Sequence, residues 1–306
     1  LCYHEIASSE RLHLRGIGIT HAAGQFECHL EHLAEVADLV SPLDAMSRLA
    51  SGDETPMISL SFDDGYRGVA NHARPLLDQI GISAIAAINS TFADAAETPL
   101  GDPDRVFWRS QLCWLRHKGK LPELASSLQM PVSDLRTATM DQYGPAVVKE
   151  ISNLYAQTDT ASAAMDRHQM HLNWDEVRSL RDAGWVVANH SANHFPLLEA
   201  SGLGQLDAEH AQCEDRLAAE LGASSTMWVA PFDRPAQRAP QAIEQMLASA
   251  SGRHCVVVGD RVTQMADLDN RLIHRINAPV GGPEMLLGAL VTAAARTTDR
   301  SNAMRP

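Results

Sequence analysis

Short apolar runs of strand length recur along the chain, and segments with helical spacing separate them. This alternation limits the fold more than any other feature. The runs "LCYHEI", "ISLSFDD", "ISAIAAIN", "WVVANH", "TMWVAPF", "HCVVVG" and "RLIHRINAP" read as strands. Phe26, Leu30 and Leu33 share one helical face; Val69, Ala73, Leu76, Leu77 and Ile80 share another, with Pro75 marking a kink or a later start. Asn173 is suited to cap a helix carrying Trp174, Val177 and Leu180, which Gly184 ends. A longer amphipathic helix runs through Leu206, His210, Cys213, Leu217 and Leu221 to Gly222, and "PEMLLGALVTAAA" forms a last one. Strands joined through helices are parallel, and 306 residues without a dividing linker suit one α/β domain closed, or nearly closed, into a barrel.

Residues 93–170 break the pattern, because "SQLCWLRHKG" and "PAVVKEISNLYAQ" are helical and no convincing strand lies among them. They read as a helical insertion, and the polar end from about residue 296 to 306 reads as a loosely held tail. The net charge of −13 and the lack of clustered Lys and Arg argue against a nucleic-acid partner. No apolar run is long enough to cross a bilayer. Five scattered cysteines without metal or redox spacing, and no visible leader, set the expectation of a cytoplasmic protein.

Two stretches carry chemistry. "SFDDGY" ends an apolar strand with Asp63 and Asp64 side by side, an arrangement that is unfavourable unless a cation or a shared proton offsets the repulsion. "ANHSANHF" ends another strand with His190 and His194 four residues apart, so that on a helical turn both imidazoles face one cation. Parallel-sheet folds gather their sites at the C-terminal ends of strands, which brings both stretches to one mouth. Asp64, His190 and His194 then form a two-histidine, one-carboxylate metal set with open positions for water and substrate, and Asp63 is left beside it as a base.

These stretches resemble the polysaccharide deacetylase family, whose members carry the NodB-homology domain of carbohydrate esterase family four. The likeness covers most of the chain: "YHEI", "FECHLEHLAEV", "SFDDGY", "LNWDEVRSLRDAGWVVANHSANH" and "VAPF", with "RVFWRSQL" similar to an element of some members. It implies a distorted barrel of seven or eight strands and one divalent metal, zinc in most members, with Ni2+, Co2+ and Mn2+ as alternatives. The implied reaction is hydrolysis of an N-acetyl, or other N-acyl, group on an amino sugar of a polysaccharide or glycoconjugate. Carried over, Asp63 is the general base, Asp64, His190 and His194 are the ligands, and Ser191 supports the histidine loop. Pro231 and Phe232 match the motif whose backbone N–H meets the oxyanion, but the arginine of that motif is missing. Arg234, Arg275 and Arg67 are candidates to orient Asp63 instead. The closing Leu-x-His motif matches Leu272 and His274, making His274 the expected general acid. Alternation keeps His274 and Arg275 on opposite faces, so His274 is expected inward and Arg275 is the alternative.

Other residues read as structural. His29 and His32 are expected to face solvent; His168 and His171 are expected in a loop, weighed against substrate contact, and His4 as an inward structural histidine, weighed against approach to the site. Trp108 and Trp114 are candidate sugar platforms, weighed against packing within the insertion. Two rival functions remain: an amide hydrolase acting on a small amino sugar, sugar nucleotide or non-sugar amide, and a carbohydrate-binding module without activity.

Overall fold

The structure, a computed structural model, describes residues 1–98, 105–137, 145–195, 203–233, 241–259 and 261–303. Seven parallel strands follow one another round a barrel: β1 (Cys2–Tyr3), β2 (Ser61–Phe62), β3 (Ile85–Ile88), β4 (Val186–Asn189), β5 (Met227–Val229), β6 (His254–Val258) and β7 (Leu272–Arg275). Spatial order equals chain order, as expected when each connection crosses over through a helix. The ring is nearly closed by main chain. The Cys2 N–H donates to Ile276 O at 2.8 Å, and the Ala278 N–H donates to Cys2 O at 2.8 Å.

Two predicted strands are split. "LCYHEI" supplies β1 and then Glu5–Ala7, which pairs outside the barrel with Thr20–Ala22. "ISLSFDD" opens with the second residue of Met57–Ile58, paired with Asp38–Leu39, before it supplies β2.

Strand alternation sorts the side chains into two layers. Ile85, Ala87, Val186, Ala188, Met227, Val229 and Val256 pack on one another inside the barrel. Phe62, Ala86, Ile88 and Val187 point outward onto Phe26, Leu77, Trp174, Val177, Leu180 and Leu217 of the surrounding helices. Strands buried on both faces account for the near-continuous apolar runs in the sequence.

The helices follow their local signals. Ala23–Ala34 buries Phe26, Leu30 and Leu33 as expected. Before Pro75 the chain forms a π-turn, Val69–Ala73, and α geometry begins at Arg74, which puts the proline in a first turn where its missing N–H is harmless. Trp174–Asp182 starts with a capping box between Asn173 and Glu176.

Between β3 and β4 the described residues of 93–170 form helices and no named strand. Trp108, Trp114, Leu115, Leu121, Leu124, Ile151 and Tyr155 make a separate apolar cluster there, so both tryptophans pack within the insertion. This cluster is tied to the segment after Ala7 by His13, which stacks on Trp114 with ring centroids 4.8 Å apart and lies 2.6 Å from Asp166 Oδ2. The last helix, Pro283–Ala303, continues into the polar end that was expected to be a loose tail. Among the described residues no helix is long and apolar enough to cross a membrane.

Candidate active site and metal centre

Strand phase delivers the carboxylates. Phe62 faces the outer layer, so Asp63 points into the barrel mouth, and its N–H continues the pairing with β1 by donating to Tyr3 O at 3.0 Å. Asp64 takes a left-handed φ of 65°, a strained conformation for a residue with a side chain, and turns its carboxylate towards the histidines. On β4 the inward Val186 and Ala188 put His190 in the same phase. Ser191 and His194 then adopt φ of 62° and 58° and fold the loop back on itself.

The predicted ligands converge. Asp64 Oδ1 lies 3.3 Å from His190 Nε2 and 2.9 Å from His194 Nε2, and one donor atom from each residue falls within 4.8 Å of the others. His190 Nδ1 is 2.9 Å from Val229 O, which assigns the proton to Nδ1 and leaves the Nε2 lone pair aimed at the site. His190 Nε2 and Asp64 Oδ1 are buried and have no partner in hydrogen-bond geometry among the described residues. Buried polar atoms are seldom left so. Two imidazoles and a carboxylate suit a divalent ion of the zinc type, and the convergence of these orphaned atoms fits it.

Burial by itself would raise the Asp64 carboxyl, but His194 and His190 outweigh it and hold it well below the ordinary carboxylate range. For Asp63 the same desolvation is outweighed by Arg275, then by His190 and His4, so it too is lowered and stays ionised near neutral pH.

Arg275, not His274, faces the site. Its Nη1 is 2.5 Å from Asp63 Oδ1 and 3.3 Å from Cys2 Sγ, and its Nη2 donates to Ala230 O at 3.3 Å. The register sets this orientation. Val257, opposite His274, packs in an outer cluster with Cys255, while Ile273 packs against the barrel interior and carries Arg275 in its phase. His274 therefore points away, with Nε2 2.7 Å from Arg261 Nη2 and 3.4 Å from Asp267 Oδ1. Arg67 pairs with Glu176 at 2.8 Å instead of Asp63, and Arg234 lies outside the described residues. Pro231 is buried on the loop after β5. Phe232, at φ 45°, sets its ring edge-on to His194 with centroids 4.3 Å apart. Ser191 Oγ accepts the Phe195 N–H at 2.7 Å and so braces the histidine loop.

Of three further histidines, two lie beside the site, as the weighed alternatives allowed, and His29 is buried instead of facing solvent. His4 Nε2 lies 4.0 Å from Asp63 Oδ2 with its side chain 24% exposed. His171 is buried, 3.0 Å through Nδ1 from Asp64 O and stacked on Tyr66. His29 is buried between the Tyr3 hydroxyl at 3.1 Å and Gly281 O at 3.0 Å. Cys2, His4 and Asp63 also bring ligand-type atoms together, but the Arg275 guanidinium already touches two of them and supplies the positive charge there.

Comparison with known proteins gives a family and a fold. A family model described as Polysaccharide deacetylase matches residues 50–249, more than half of the chain. No curated protein matches. Among solved structures, Streptococcus pyogenes deacetylase PplD, in complex with acetate, superposes with a TM-score of 0.58 at 16% identity, over 95% of this chain and 96% of that one. IcaB from Ammonifex degensii gives 0.58 at 14% identity, over 95% and 94%. The de-N-acetylase from Aggregatibacter actinomycetemcomitans gives 0.55 at 16%, over 93% and 94%. At these identities the shared feature is the fold.

Proposed function

Because this chain belongs to the polysaccharide deacetylase family, we propose that it is a metal-dependent hydrolase that removes an N-acetyl group from an amino sugar of a polysaccharide or glycoconjugate. The observation that carries the reading is the convergence of Asp64 Oδ1, His190 Nε2 and His194 Nε2, two of them buried without a hydrogen-bond partner. Asp64, His190 and His194 would hold a divalent ion, which would supply Lewis acidity towards the amide carbonyl and water.

The chain's own groups do the rest. Asp63, ionised and 3.6 Å from His190 Nε2 through Oδ2, takes the proton of the attacking water, and Arg275 holds its other oxygen in place. The Phe232 N–H, on the loop beside His194, is the candidate donor to the oxyanion. An amide nitrogen leaves only once protonated, and with His274 turned away His4 is the group positioned to deliver that proton.

The test combines metal content with turnover. Wild-type protein prepared without chelator should hold one divalent ion per chain and release acetate from oligomers of an N-acetylated hexosamine. His190→Ala should lose the ion, whereas Asp63→Asn should keep it and lose activity by about 10²- to 10⁴-fold. A wild type that holds no metal and refuses added zinc, nickel and cobalt would refute the hydrolase and leave a binding module as the better reading.

A further inference from the structure

The histidine loop is a strained segment whose conformation must be imposed from outside. Ser191 and His194 both have positive φ, and neither is a glycine. What imposes it is a set of side chains from neighbouring elements. Asn89, the residue after β3, is 1% exposed and donates from its single Nδ2 to two successive carbonyls, those of His190 and of Ser191, the latter at 3.1 Å. Its Oδ1 is buried without a hydrogen-bond partner among the described residues, so the side chain gives up one acceptor in order to present both protons to the loop. Asn189 acts from below, with Oδ1 accepting the Ser191 N–H at 2.9 Å while its Nδ2 is anchored to His210 O and Glu214.

We propose that Asn89 is a positioning residue for metal binding: by clamping the His190 and Ser191 carbonyls it turns both imidazoles of the loop onto Asp64. This rests on the deacetylase reading and deepens it. Asn89 touches no ligand atom and no reacting group. Its contribution is the backbone angle that lets residues four apart on a non-helical loop serve one ion. Groups that hold metal ligands in place typically change affinity by about 10- to 100-fold when removed. An aspartate at this position cannot substitute, because its oxygens would face two carbonyl oxygens.

The experiment is a titration of chelator-stripped, full-chain protein with Co2+, following the d–d absorption band and competing with a chromophoric chelator. Asn89→Ala, verified as folded by circular dichroism, should bind Co2+ at least tenfold more weakly than wild type and with an altered band. Asn89→Asp should do the same. Variants that bind with wild-type affinity and an unchanged spectrum would overturn the proposal. If Asn89→Ala does not fold, Asn89→Ser, which keeps one donor, is read by the same titration with the same criterion. A wild type that takes up no Co2+ would instead overturn the metal-dependent function itself, so the two failures are distinguishable.

Discussion

Replacing Arg275 with methionine should destabilise the protein and should do so through Asp63. The pair is almost completely enclosed, each side chain 5% exposed, with Nη1 and Oδ1 2.5 Å apart. At an effective dielectric of about 20 their gross attraction is several kcal/mol, most of it cancelled by desolvation of both charges. Methionine fills much of the arginine stem's volume, so the loss is electrostatic: Asp63 is left buried, charged and facing Asp64. Breaking a buried pair in this way costs about 3–5 kcal/mol, and loss of the contacts to Ala230 O and Cys2 Sγ comes on top. Urea unfolding of metal-stripped protein measures it. Arg275→Met should lower the midpoint sharply, and adding Asp63→Asn to it should restore most of the loss, because no uncompensated charge remains. A single variant within about 1 kcal/mol of wild type, or a double variant no better than the single, would refute the reasoning. Lysine should fail as a replacement for turnover, since a point charge cannot reach Asp63 and Ala230 in one plane.

Three further expectations follow from the same geometry. His4→Gln should reduce kcat by about 10²- to 10⁴-fold while His274→Gln stays within a few-fold of wild type; the opposite ranking in a steady-state assay would return the acid to β7. Burial, partly opposed by Arg11, pushes the Glu5 carboxyl up to about 8, so the folded state keeps a proton that the unfolded chain releases near its ordinary value. The stabilisation is therefore fully present below the unfolded value and lost as pH rises to about 8; melting temperatures of Glu5→Gln across that range should lack the slope, and parallel curves would contradict the assignment. Asn173→Ala removes the cap on Trp174–Asp182 and should destabilise by about 1 kcal/mol in urea unfolding, with no change if the capping box contributes nothing.

The barrel was legible because its signal is redundant: buried parallel strands and amphipathic helices alternate, and a mistaken boundary at one leaves the rest intact. Of the candidate metal set only His190 could be placed by counting strand phase, as could Asp63 beside it; Asp64 and His194 reach the same point through left-handed φ values of 65° and 58° that alternation does not foretell. The choice between His274 and Arg275 was not legible. Alternation only says that they face oppositely, and the deciding facts are the register against β6 and the distant Asp63 carboxylate that the guanidinium reaches. His29 was missed because an apolar stripe ignores polar members; it lies between Phe26 and Leu33 on the buried face, where the Tyr3 hydroxyl makes a histidine tolerable. His171 enters through short main-chain contacts, Arg67 N–H to Met170 O at 2.9 Å and Leu172 N–H to Gly65 O at 2.8 Å, which have no periodic signature.

The seam that stitches β1 to the chain just beyond β7 also joins the first of the seven strands to the segment that follows the last. β1 leaves the ribosome before the other six strands, yet its second edge has nothing to pair with until residues 276–278 have followed. Contacts of such long sequence separation form late. Asp63 waits across the same seam for Arg275, so a nascent chain could bring Asp64, His190 and His194 together while Asp63 still lacked the guanidinium that holds it. On the proposed reading, a chain that stalled before β7 would carry the candidate metal set beside an Asp63 that nothing orients.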